Sequence, residues 1–460
     1  MSLQVEKVYR LSPMQKGMLF HTLIDDDSSM YFEQQTMTLT GILDICILEK
    51  SFQLLSKRFD ILRTCFIAEK MQDPRQVVLK NRSIPVRFED ITHLSNQKQE
   101  YYIKQCEEND RKRGFDLLKE PLMRVLILQT NDNTYKMIWS HHHILMDGWC
   151  LSIIMRDLFY FYSTLKDGET VSLNPITQFG EYIKWLEECN HDEAIAYWEN
   201  YLEGYEQQAV LPSYVKKAQL YEESRVEELN FSLDKETTGE LIRFAQKNHI
   251  TINQVLQTIW GILLQHYNNT DDVVFGTVVS GRNAKVKNIE HIVGLFINTI
   301  PVRVKCSEGA SFSDIIACIK QDTMNCEKYE FASLADVQAT TLPGMDLIHH
   351  VVVFQNFDTM GSSEEHDYSS KVGFDITKIE GFEKLNYEFA LVLGLGEQLH
   401  ARMMFDPSVY ERKFLKSVAN HFVEIIRQIL RNPNMLISDI CVVENQEQEQ
   451  LFNYNKTETT

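Results

Sequence analysis

Residues 248–270 carry no charged side chain. A run of that length belongs either in the hydrocarbon of a membrane or in the interior of a folded domain. Asn253, Gln254, Gln257, Thr258, Gln265 and His266 decide between the two. So many amides and hydroxyls are costly against lipid, whereas a protein interior can pair each of them. No transmembrane span is therefore expected, and the run reads as a buried helix in a sizeable core. The N-terminal residues MSLQVEKVYRLSP lack a basic region followed by an apolar run, so no secretory signal is read and a cytoplasmic chain is expected.

Around that helix two periodicities alternate. In 149–165, Leu151, Ile154, Leu158, Phe161, Tyr162 and Leu165 fall on one helical face. Similar stretches cover 14–23, 45–59, 97–113, 183–201, 236–248, 253–267, 312–326 and 410–430. Strand-like runs lie between them at 33–39, 64–68, 76–79, 123–128, 135–140, 273–279, 295–304, 349–354 and 400–405. Helices and strands interleaved along the whole chain imply an α/β protein with mixed sheets. The segment LKDGETVSLNP, with Gly168, Asn174 and Pro175, interrupts the pattern and places a seam near residue 175. A second irregular stretch, 204–226, reads as a surface connection. From 446 to 460 the chain turns polar and loses periodicity, as the start of an interdomain linker in an excised piece of a longer protein would.

Charge excludes some partners. Lys+Arg 46 against Asp+Glu 65 gives 46 − 65 = −19. Such a field opposes nucleic acid and acidic membrane surfaces. Nine cysteines are scattered, Cys318 and Cys326 being the nearest pair, so there is no CxxC knuckle and the thiols are expected to be free. Neither a P-loop nor a GxGxxG pattern is present.

The strongest chemical signal is YKMIWSHHHILMDGWC. A strand-like run ends in His141, His142 and His143, Asp147-Gly148 supplies a turn, and a helix follows. Imidazole ordinarily titrates near neutral pH, so a histidine here can take a proton from a nucleophile while a nearby acid orders its loop. Two plainer readings compete: a metal tract, though no HxxxH or HExxH partner accompanies it, and packed structural histidines. Strand alternation puts His142 on one face and His141 and His143 on the other, which leaves open the face that meets substrate.

These residues resemble the HHxxxDG motif of condensation domains of non-ribosomal peptide synthetases, which belong to the chloramphenicol-acetyltransferase-like acyltransferases. The match is His142-His143-Ile-Leu-Met-Asp147-Gly148. The resemblance spans almost the whole chain: LSPMQKGMLFH (11–21) is similar to the opening motif, RFDILRTCF (58–66) to RHExLRTxF, FGEYIKW (179–185) to YxDYAxW, and VGLFINTIPVR (293–303) to VGxFVNT. Phe59 and Asp60 stand where His and Glu are usual. The later segments 325–338 and 348–357 match their motifs poorly.

The resemblance implies two acetyltransferase-like lobes, 1–175 and 176–445, arranged as a V with the site in a tunnel between them. It implies that His143 is catalytic, that the Gly148 N–H helps the reacting carbonyl, and that His142, Asp147 and Arg63 support the site, with Asp147 pairing with Arg63. Asn298, Ser280 and Trp149 are candidates for lining the channel, with Trp149 read more readily as core. The implied reaction joins a donor aminoacyl or peptidyl thioester to the amine of an acceptor aminoacyl thioester. Both arrive on phosphopantetheine arms of carrier domains, an adenylation domain follows through the linker, and the excised piece is expected to be monomeric. No metal or bound cofactor is expected. Lys7, Arg10, Lys16 and Arg111 to Arg113 are candidate cations for carrier docking. The alternatives are a stand-alone acyltransferase using a soluble thioester and a non-catalytic carrier-docking module.

Overall fold

The computed structural model describes residues 4–24, 30–68, 74–212, 226–341, 346–355, 371–383 and 387–442. The tail at 446–460, read as a linker, lies outside the described residues, as does most of the connection 204–226. Contacts divide the chain into two units. The first comprises the described residues of 1–190, 280–298 and 357–386, and the second those of 191–279, 299–356 and 387–460. The boundary thus falls at Asn190 rather than near 175, because helix Phe179–Glu188 packs on strand Val5–Arg10 of the first unit. The predicted helix 183–201 is two helices, Phe179–Glu188 and His191–Tyr201. The backbone is extended at Cys189 between them (φ −70°, ψ 147°).

The first unit holds a five-stranded sheet in the order Phe374–Phe382, Phe32–Gly41, Thr134–His142, Met123–Asn131, Val86–Asp90. All neighbours are antiparallel except the last pair. A smaller antiparallel sheet joins Val5–Arg10, Arg75–Leu79 and Thr64–Ile67. Helix Trp149–Lys166 buries Ile154, Leu158, Phe161 and Tyr162 of the predicted stripe, leaves Leu151 and Leu165 half-buried, and packs on helix Ile45–Arg58.

The second unit is built on a six-stranded mixed sheet, Asn298–Lys305, Asp272–Val279, His350–Gln355, Phe389–Leu395, Leu399–Phe405, Glu227–Ser232. Its core contains helix Ile252–Asn268, the charge-free run, in which every residue from Gln254 to Gln265 is buried. Of the polar groups that excluded lipid, Gln254, Gln257, Thr258 and Gln265 are paired within the protein. Gln257 Nε2 donates to Thr277 Oγ1 (2.8 Å), and Gln265 Nε2 donates to the carbonyls of Asp271 (2.8 Å) and Val304 (2.9 Å). A Thr251/Gln254 capping box starts the helix. Gly261 lets the helix approach its neighbour closely, since a Cβ there would lie 2.3 Å from Val304 Cγ2. Gly261→Ala is therefore expected to destabilise the fold by ~1–3 kcal/mol through overpacking, against the ~1 kcal/mol gain alanine brings in an open helix. Urea unfolding checks this, and an increase in midpoint would contradict the packing account.

Among the described residues no helix is long and apolar enough to cross a membrane.

Candidate active site

The site grows from the end of strand Thr134–His142. His141 and His142 still belong to the ladder, opposite Glu33 and Phe32, and both are buried. Desolvation, reinforced by His143 nearby, pushes each imidazole down to about 3, so both are neutral at working pH. His142 Nδ1 accepts the N–H of Ile144 (3.1 Å). The chain then leaves the strand in a single 3-10 turn, His143–Leu145. That turn ends the strand parity, so His143 is not aligned with His141 but stands half-buried at the sheet end.

Two backbone groups hold His143. Its N–H donates to Tyr31 O (2.8 Å), and its Nδ1 lies 2.9 Å from Met146 O. A carbonyl can only accept, so Nδ1 carries a proton and the lone pair of the neutral ring resides on Nε2. The loop is supported from beneath by the opening motif. Gln15, fully buried, donates to Ile144 O (3.2 Å) and accepts from Ser12 N (3.0 Å) and Gln76 Nε2 (3.0 Å). Gln15→Leu is expected to cost ~1–3 kcal/mol, because Ile144 O and Ser12 N–H lose that buried partner, while Gln76 Nε2 keeps Arg10 O (2.7 Å). Thermal unfolding of the variant measures the cost, and an unchanged melting temperature would remove Gln15 from the support.

Asp147 is the hub of the remaining structure. Its Oδ2 accepts Phe296 N–H (3.0 Å), its Oδ1 lies 3.3 Å from both Arg282 Nη2 and Cys150 Sγ, and its N–H reaches Gly294 O (3.4 Å). The expected pairing with Arg63 does not occur. Arg63 is buried elsewhere between Asp60 (2.7 Å) and Glu6 (2.6 Å), and it also donates to Ser56 O and Leu79 O. Asp60, the acid in the departed second motif, thus braces the Arg of that same motif.

Arg282 is the partner of Asp147 that sequence reasoning passed over. Its side chain is 6% exposed. It donates to the carbonyls of Ile289 (2.7 Å) and Ile292 (3.0 Å) and lies 4.2 Å from the Phe296 ring centroid. Ser280, selected from the same FGTVVSGRN segment, is exposed and accepts Arg282 N–H (3.4 Å). Gly281 has φ +64°, and a Cβ on it would lie 2.0 Å from Phe296 O, so only glycine fits between Ser280 and Arg282. Gly294 is confined sterically: a Cβ would lie 2.0 Å from Phe179 Cδ2. Phe296 packs edge-on against Phe179 (5.2 Å) and tilted against Tyr182 (4.5 Å). The motifs at 179–185 and 293–303 therefore converge on Asp147. Asn298 is buried two residues beyond Phe296.

Gly148 has ordinary helical angles (φ −59°, ψ −28°), so backbone conformation does not demand glycine there. It is exposed at the head of helix Trp149–Lys166. Trp149 is not core: it is 37% exposed, its indole N–H donates to Glu290 O (3.0 Å), and Arg282 lies 5.5 Å from its ring. Of the candidate docking cations, Lys7, Arg10 and Arg113 are engaged by Asp60, Glu187 and Glu120. A cavity of about 690 Å³ in the first unit is lined by Lys7, Arg58, Arg156 and Lys287, and no residue of the histidine loop lines it.

The first unit thus holds His143 on a loop that a buried carboxylate fixes. The condensation-domain family model matches residues 5–452. The chain is 40% identical to bacitracin synthase 3 of Bacillus licheniformis over 98% of its own length and 7% of that protein's. It is 38% identical to gramicidin S synthase 2 of Brevibacillus brevis, over 97% of this chain and 10% of that one. A four-domain nonribosomal peptide synthetase bound to AMP and glycine shares the fold (TM-score 0.78, 16% identity, 97% of this chain and 35% of that one). The chain belongs to the condensation-domain family of non-ribosomal peptide synthetases, and it spans no more than 10% of the length of either curated relative named.

Proposed function

We propose that this condensation domain forms a peptide bond between two carrier-bound thioesters. The acceptor's α-amine attacks the donor's thioester carbonyl, the C–N bond forms, and the C–S bond breaks to release the donor's pantetheine thiol. The proton lost by the amine passes to His143 Nε2 and on to the departing sulfur. The Gly148 N–H, at the positive end of helix Trp149–Lys166, faces the developing oxyanion. The observation that carries this reading is the Nδ1 hydrogen bond to Met146 O, because it leaves Nε2 as the basic nitrogen of a half-buried histidine.

Donor and acceptor carrier domains are the partners in this reading, and phosphopantetheine comes with them as substrate rather than as a resident group. An adenylation domain activates the amino acids elsewhere, in the cytoplasm. Ser280, Asn298 and Trp149 are assigned to the substrate path, a reading supported for Ser280 and Trp149 by exposure beside Arg282. The domain is incubated with two carrier domains loaded with different aminoacyl groups, and in parallel with soluble acyl thioesters and a free amine. A dipeptidyl carrier in the first reaction supports the assignment. Product in the soluble reaction alone would replace it with a stand-alone acyltransferase.

A further inference from the structure

We propose that Glu33, His143 and Glu383 form a binding site for one divalent cation of the zinc class, and that an ion held there masks His143. The sheet register brings the three together. Strand Phe32–Gly41 runs between two antiparallel neighbours, with Glu33 opposite His141 on one side and Gln34 opposite Phe382 on the other. Continuing each ladder by a residue or two places Glu383 beside Glu33 and His143 at the same sheet end. One nitrogen of His143 and one carboxylate oxygen from each glutamate lie within 4.8 Å of one another.

The chemistry of the set favours a transition metal. Tetrahedral zinc with bonds of roughly 2.0–2.2 Å needs donor atoms roughly 3.3–3.6 Å apart, so both glutamates must swing inward to close the site, Glu33 exchanging its present contact for the ion. Two carboxylates balance the ion's charge, and imidazole selects zinc, cobalt or nickel over magnesium or calcium, which prefer oxygen alone. His143 has its Nδ1–H committed to Met146 O. A histidine bound to metal through one nitrogen almost always donates from the other in this way, which fixes its tautomer and raises its basicity. Glu383 is exposed and the other two are half-buried, so an ion has access and keeps a position for water. Sequence spacing hid the group, because positions 33, 143 and 383 fit no short ligand motif.

The site does not depend on the proposed reaction; only its meaning as an inhibitory site does. Tag-free protein is titrated with Co²⁺ and its visible ligand-field absorption is followed. One equivalent should produce the band, and Zn²⁺ should displace it. His143→Ala should abolish it, while E33Q and E383Q should each weaken binding by ~10-fold or more. Circular dichroism verifies that the variants fold. A featureless wild-type titration, or one unchanged in His143→Ala, overturns the site. Masking has its own readout: saturating Zn²⁺ should protect His143 from diethylpyrocarbonate, followed by mass spectrometry. Unchanged modification with zinc bound overturns it. Both measurements stand whether or not the domain condenses the chosen carriers.

Discussion

Asp147→Ala is expected to lower folding stability by ~3–5 kcal/mol, the usual cost of breaking a buried ion pair by removing one partner. Arg282 loses its carboxylate at 3.3 Å, and Phe296 N–H loses its acceptor at 3.0 Å. The guanidinium keeps the carbonyls of Ile289 and Ile292 and the Phe296 ring, which places the loss toward the lower end of the range. Arg282→Met should cost a comparable amount, since it leaves Asp147 buried with its charge balanced only by Phe296 N–H and the Cys150 thiol. The double variant should cost less than the sum, because neither charge is then stranded. Asp147→Ala and Arg63→Met share no partner and should add. Urea unfolding of the two cycles decides the matter: coupling with Arg63 and none with Arg282 would restore the pairing that the motif resemblance implies.

Those two arginines show what a sequence carries and what it omits. That Asp147 is structural was legible from its place in HHxxxDG. Its partner was not, because Arg282 lies 135 positions away and local periodicity contains no such distance. Both Ser280 and Arg282 stand in a segment singled out by its pattern, yet only the fold shows that the arginine turns inward under Gly281 while the serine stays exposed.

Strands follow the same logic. Val5–Arg10, Val86–Asp90, Glu227–Ser232 and Phe374–Phe382 escaped notice because they have almost no buried residues to alternate. Phe389–Leu395 escaped for the opposite reason. Its first five residues are all buried, with a parallel neighbour on one side, so its run of apolar residues is continuous. Alternation marks only the half-buried strand. The histidine loop fell in a similar gap, since parity along Thr134–His142 stops at the 3-10 turn that begins at His143.

His143→Ala is expected to slow single-turnover condensation by ~10²–10⁴-fold, the usual worth of one positioned proton acceptor. At 1.36 kcal/mol per factor of ten, that is ~3–5 kcal/mol of barrier. Positioning two tethered reactants is worth ~7–11 kcal/mol, so the variant should still run well above the uncatalysed reaction. The pH profile separates base from positioner. A free α-amine loses its proton at roughly 7.7–8.0, which gives wild type and variant one shared acid limb. If Nε2 accepts a proton in the transition state, wild type carries a second dependence that the alanine variant lacks. His141 and His142 cannot supply it, because burial holds both at about 3, far below the assay range. Loss by one constant factor from pH 6 to 9 would sink the base role and leave His143 orienting the amine. Convergence of the two profiles at low pH, where a protonated Nε2 is no longer a base, would support the role that the Met146 hydrogen bond prepares.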